Sequence, residues 1–127
     1  MSTRDVEEAS PDVLDGYAQT WSKRAEELRD RLVYLAADLA PSRARYEYLE
    51  SRTAIAATKW KNVFLSRQMP TNEMLLAICH YRSPYAHWLM TGDTGGIDIG
   101  RAPSSEMWEK FETDREWERR KRGAKEK

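Results

Sequence analysis

Residues Tyr46 to Gly92 read YEYLESRTAIAATKWKNVFLSRQMPTNEMLLAICHYRSPYAHWLMTG, and the fold turns on how this stretch is divided. Apolar residues recur at helical spacing in short runs, and each run is closed by a break. Tyr46, Leu49 and Thr53 fall on one side of a first short helix. Ala54-Ile55 is the expected turn. A second helix is expected over AATKWKNVFLSRQ, residues 56–68, with Trp60, Val63 and Phe64 pointing inward. Its other side presents Ala57, Thr58, Lys59, Lys61 and Asn62. Pro70-Thr71 opens a third helix, with Thr71 placed to N-cap it and Met74, Leu75 and Ile78 as its apolar face. Ser83-Pro84 breaks that helix and starts a fourth, PYAHWLMT, which Gly92 is suited to end as a C-cap.

Outward from this stretch, residues 1–10 carry too little apolar content to pack and are expected to be a mobile start. Ser10-Pro11 opens a long helix that runs to a break at Pro41, with Gly16 as a weak point near its start. Its stripe is Tyr17, Trp21, Ala25, Leu28, Leu32, Leu35 and Leu39. Ser42 is the expected N-cap of the following helix, RARYEYLESRT. Beyond Gly92, DTGGIDIGRAPSS reads as a linker over 93–105, in which Ile97 and Ile99 could form an isolated extended piece. Ser104 or Ser105 then caps a last helix, and Met107, Trp108, Phe111 and Trp117 on it do not sustain a heptad. Those aromatics need cover, from the bundle or from a second subunit. The basic tail RRKRGAKEK is expected to lack structure. The fold class is therefore all-α: an orthogonal five-helix bundle over 11–92 containing a helix-turn-helix, a linker over 93–105 and an additional C-terminal helix with its tail over 106–127.

The 127 residues are 40% hydrophobic and 33% charged, which suits one small, lean domain that a partner subunit would help. No apolar run approaches the ~20 residues of a membrane helix, so no membrane partner is expected. The acidic N-terminus has no apolar segment to act as a signal peptide, and the single Cys79 excludes an internal disulfide, so a cytoplasmic setting is expected. The net charge is zero. Its distribution is not even. Residues 1–40 hold five basic and nine acidic residues, residues 41–92 seven and three, and residues 93–127 nine of each. The middle block alone is basic, as a phosphate backbone would select.

Little else points to chemistry. His80, His87 and Cys79 match no zinc spacing, and surface or packing roles suit them better. Cys79 follows Leu76-Ala77-Ile78 with no base beside it and reads as a small buried hydrophobe. The carboxylates lie on solvated helix faces, and the glycines of DTGGIDIG follow no strand and open no helix. No enzyme, metal or cofactor is expected.

An α-helix that enters the DNA major groove needs an apolar back and short polar or basic residues in front. The run from Ala56 to about Leu65 meets both demands. Thr58 suits a thymine methyl or a phosphate, Lys59 and Lys61 suit phosphates or guanine acceptors, and Asn62 suits adenine. Roughly from Leu32 to Gly92 the chain resembles the phage-repressor, or XRE-type, helix-turn-helix family. RLVYLA resembles its first helix, Ala54-Ile55 stands where that family commonly has Gly-Val, and Trp60 and Val63 fall on its inward recognition-helix positions. RQMPTNEMLLAI and YAHWLMTG resemble its fourth and fifth helices. Glu50 departs from the pattern, standing where the family usually has alanine. The resemblance implies a small phage- or prophage-type repressor that binds double-stranded DNA as a homodimer, in the bacterial cytoplasm or on the nucleoid. It implies base contacts from Ala57, Thr58, Lys59, Lys61 and Asn62, and phosphate contacts from Arg43, Arg45 and Arg67. Trp108, Phe111 and Trp117 are the candidate dimer contact. The alternative is a helix-turn-helix-derived module that binds a host or phage protein.

Overall fold

The computed structural model describes residues 11–94 and 100–126, and side chains within 20–94 and 100–123. Among them the chain is all-helical: six α-helices, one 3-10 turn and no strand. The expectations for residues 1–10, and for Ile97 and Ile99, fall outside the described residues.

Helix α1 spans Pro11–Leu39 and continues through Gly16 without a break. At 1.5 Å per residue it is roughly 43 Å long, more than a domain of this size can cover. Its C-terminal half carries Leu32, Val33, Leu35 and Ala36, all buried. Further toward the N-terminus Trp21 stays 63% exposed. Around the buried half pack α2 (Arg45–Thr53), α3 (Ala57–Phe64), α4 (Asn72–Tyr81) and α5 (Ala86–Thr91), with a 3-10 turn at Ser83–Tyr85 before the last. Leu49, Trp60, Val63, Phe64, Met74, Ile78, Trp88 and Leu89 complete the core with Ala40.

Several boundaries follow local chemistry. Thr71 Oγ1 accepts from the Met74 N–H at 3.2 Å, Ser104 Oγ accepts from Met107 N–H at 3.2 Å, and Gly92 closes α5 at φ 77°. The start of α2 corrects the expectation for Ser42. That helix begins at Arg45 behind Ala44, which is left-handed at φ 55° and makes no side-chain cap. Ala54 closes α2 in the same region at φ 61°. α3 ends at Phe64, short of the expected Gln68, because Ser66 also turns left-handed at φ 60° and no helix continues through such a residue.

The turn between α2 and α3 is held by one hydroxyl. Thr53 Oγ1 donates to the Leu49 carbonyl at 2.7 Å. It accepts from the Ile55 N–H and from the Trp60 indole Nε1, both at 3.2 Å. Trp60 is fully buried, so its indole N–H must find a partner inside the protein.

Helix α6 (Ser105–Glu126) folds back on the bundle. Trp108 and Phe111 meet Tyr34 edge-on at centroid distances of 5.7 and 5.3 Å, and Trp108 meets Trp88 at 5.4 Å. The Arg115 guanidinium donates to Asp30 at 3.2 Å, to the Phe64 carbonyl at 3.2 Å and to Ser66 Oγ at 3.0 Å. It thereby ties α6 to α1 and to the end of α3. The helix runs through the tail expected to be unstructured. Its Arg, Lys, Glu and Ala residues are strong helix formers, Gly123 is the one weak position, and Glu116 pairs with Arg120 across one turn. Gly100 fixes the approach to α6: at φ 107°, an added Cβ there would lie 2.7 Å from the Pro84 carbonyl oxygen, which accepts from the Arg101 N–H. No helix among the described residues is long and apolar enough to cross a membrane.

Replacing Thr53 by valine keeps the shape and removes the hydroxyl. Thr53→Val is expected to lower unfolding free energy by about 1–3 kcal/mol, because the buried indole N–H loses its acceptor. Thr53→Ser should recover most of that loss in the same urea titration. Equal midpoints for the two variants would show that the hydroxyl does not hold this turn.

Candidate nucleic-acid interface

α3 is short, and its inner side is committed to the core. Trp60, Val63 and Phe64 are buried, and one helical turn relates the first to the last two. The 3.6-residue repeat then sets Thr58 and Asn62 opposite Trp60, with Lys59 and Lys61 flanking them on either side. Thr58, Lys59 and Lys61 are exposed, and Asn62 and Ala57 are half-buried. These five residues form one continuous surface. No described chain segment packs over the lysine side chains.

Both ends of α3 are tied by other parts of the chain. At the N-terminal end, the Ala57 N–H donates to Glu50 Oε1 at 2.8 Å. Glu50 therefore acts as a side-chain cap supplied from the preceding helix, seven residues away, and its negative charge suits the positive end of the α3 dipole. At the C-terminal end, the Asn62 carbonyl accepts from the Arg67 and Gln68 N–H groups at 2.8 and 3.3 Å, and the Phe64 carbonyl accepts from Arg115. The exposed side chains of α3 are thus mounted on a backbone tied at both ends to other parts of the chain.

The candidate phosphate contacts divide. Arg43 lies exposed in the bend before α2, and Arg67 is exposed just after Ser66. Arg45 is drawn to the inner side of α3 instead: its guanidinium sits 5.6 Å from the centre of the Phe64 ring and is half-buried. The structure places Arg45 with Phe64 and Tyr46, apart from the Thr58–Asn62 surface. Of the candidate dimer residues, Trp108 and Phe111 are used in packing on Tyr34, while Trp117 remains 60% exposed.

Other polar groups have structural surroundings. Burial pushes the Cys79 thiol pKa upward, which leaves it a poor nucleophile. His80 stands edge-on to Tyr81 at 4.9 Å, and His87 faces Asp93 at 3.7 Å. Among the described residues no three side chains of the metal-ligating types come together. Burial also depresses the Arg115 pKa from the usual arginine value, against the pull of Asp30, although a guanidinium stays charged at any physiological pH.

Sequence reasoning missed two contributors, Glu50 as a cap and Arg115 as a clamp. Local capping signals lie within three residues of a helix start, and Glu50 acts from the neighbouring helix. Arg115 joins residues 85 and 51 positions away, which no local pattern can announce. No family model, no curated protein and no solved structure matches the chain.

Glu50→Ala is expected to cost about 1 kcal/mol, the usual worth of an N-cap, and to speed amide exchange at Ala57. Unchanged exchange at that amide would remove Glu50 from this role.

Proposed function

We propose that the chain is a sequence-specific DNA-binding regulator that reads the major groove with α3. In this reading α1–α5 correspond to a five-helix bundle of the phage-repressor type, and α2, the Ala54–Ala56 turn and α3 are its helix-turn-helix. The observation that carries the proposal is the surface formed by Thr58, Lys59, Lys61 and Asn62: polar and basic in front, anchored by a buried indole behind. Side chains of these types suit base edges and phosphates. A lone module contacts few bases, so a dimer would be needed to span two half-sites. Trp117, the exposed member of the α6 aromatics, is the contact assigned to it.

The second reading is a protein-binding module, and one observation favours it. The Glu50 carboxylate occupies the N-terminal end of α3, where a phosphate would otherwise gain from the free N–H groups. Leu76, 71% exposed on α4, adds an apolar contact point beyond that face. Passage over immobilised duplex DNA at moderate salt separates the readings: retention supports the regulator, and clean flow-through supports the protein-binding module.

Selection of bound genomic fragments followed by titration tests the assigned face. Asn62→Ala is expected to weaken binding to the preferred site by about 1–3 kcal/mol while leaving random duplex unaffected. Lys59→Ala should weaken both and flatten the salt dependence by roughly one unit of log–log slope. If both variants bind like the parent, α3 is not the reading helix. Trp117→Glu is expected to convert a dimer into a monomer by light scattering, and an unchanged mass would place the dimer contact elsewhere.

A further inference from the structure

A cleft of about 230 Å³ lies where α6 crosses the end of α3, away from the Thr58–Asn62 surface. Tyr46, Phe64 and Phe111 are among its lining residues. Arginines from two different helices also line it, Arg45 of α2 and Arg122 of α6. The other two arginines there are already engaged. Arg115 is bonded to Asp30, Phe64 and Ser66, and Arg119 to Asp30 and Glu116. Among the described residues neither Arg45 nor Arg122 has an ion-pair partner. Two guanidiniums without ion-pair partners beside one aromatic-lined cleft suit an anionic ligand.

We propose that this cleft binds a small aromatic carboxylate, its ring on Tyr46, Phe64 and Phe111 and its carboxylate between Arg45 and Arg122. Three features define that class. The aromatic lining asks for a flat apolar body. The forked, always-charged donors ask for a planar oxyanion, and the stacking of Arg45 on Phe64 holds one fork in position beforehand. Asp114 and Glu118 also line the cleft, which favours a single negative charge over a polyanion such as a nucleic-acid backbone. The volume is below the range of ~300–1,000 Å³ typical of drug-sized ligands, so one or two rings fill it. A ligand there would touch α2, α3 and α6 together and stabilise the docking of α6. The proposal does not rest on the nucleic-acid reading.

Isothermal titration of 1-naphthoate into the full chain tests it, with neutral 1-naphthamide as the control ligand. Saturable 1:1 binding is expected, weaker by at least about tenfold for the amide and for Arg122→Gln, since each removes a charge-assisted contact. Arg120→Gln, two residues from Arg122 but pointing to solvent, should bind within about twofold of the parent. Arg45 also packs on Phe64, so Arg122→Gln is the deciding variant, with its fold checked by circular dichroism. The proposal is overturned if naphthoate fails to saturate at millimolar concentration, if the amide binds equally well, or if a folded Arg122→Gln binds like the parent. Absence of naphthoate binding together with a loss of duplex affinity in Arg122→Gln would assign these arginines to nucleic acid and equally overturn it.

Discussion

The Thr53 hydroxyl is the smallest group on which the architecture depends. It binds three partners: a carbonyl of its own helix, the amide of the turn and the indole of Trp60 on the next helix. Without it the buried indole N–H and the Ile55 amide would lie in the interior or at its edge without this acceptor. Because the indole is large and rigid, fixing its nitrogen fixes the rotation of α3 about its own axis. That rotation decides which residues face outward. If α3 turned by one residue position, Trp60 would leave the core and a lysine would enter it. The burial of one aromatic and the satisfaction of one hydroxyl therefore set the orientation of the exposed surface more firmly than helix propensity does.

A second constraint comes from far along the chain. Asp30 accepts from Arg115 and Arg119, and the same Arg115 reaches the end of α3. Pairs of this kind gain little net stability once desolvation is counted, but a mispaired arginine at such a depth would be costly. They act mainly on geometry, selecting a placement of α6 in which both terminal nitrogens of the Arg115 fork find oxygens. The apolar part of that docking is the ring cluster of Tyr34, Trp88, Trp108 and Phe111. Aromatic area supplies the attraction, and the guanidinium supplies the register.

The helices were largely legible in the sequence because their signals are local. Thr71, Gly92 and Ser104 sit at helix ends and do there what their chemistry suits, and the buried stripe of α1 follows its spacing from Leu32 onward. Legibility failed where a residue adopted a conformation its type disfavours. Ala44 and Ser66 are left-handed without being glycine, so nothing in their identity announces the start of α2 or the end of α3. It failed again for long-range partners. The aromatics of α6 asked for cover, but only the folded chain shows that Tyr34 and Trp88 supply it. The outward surface of α3 was readable as a pattern, since it is the complement of an apolar stripe. The inward turn of Arg45 was not, because a single arginine beside a tyrosine gives no sign of which side it takes.

The two ends of α3 also bear on how any ligand of its surface would be held. A helix N-terminus ordinarily offers free N–H groups and a positive field to an anion. Here the Ala57 N–H is already bound to Glu50, whose charge offsets that field. A polyanion meeting α3 would therefore gain more of its attraction from the lysine side chains than from the helix end. Long, flexible ammonium groups attract at a distance but fix geometry poorly. Discrimination on such a surface would fall to its short members, Thr58 and Asn62, which sit opposite the anchored indole and so inherit its rigidity. Were α3 to read a duplex as proposed, affinity and selectivity would fall to different residues of one two-turn helix, separable by salt in the first case and by side-chain identity in the second.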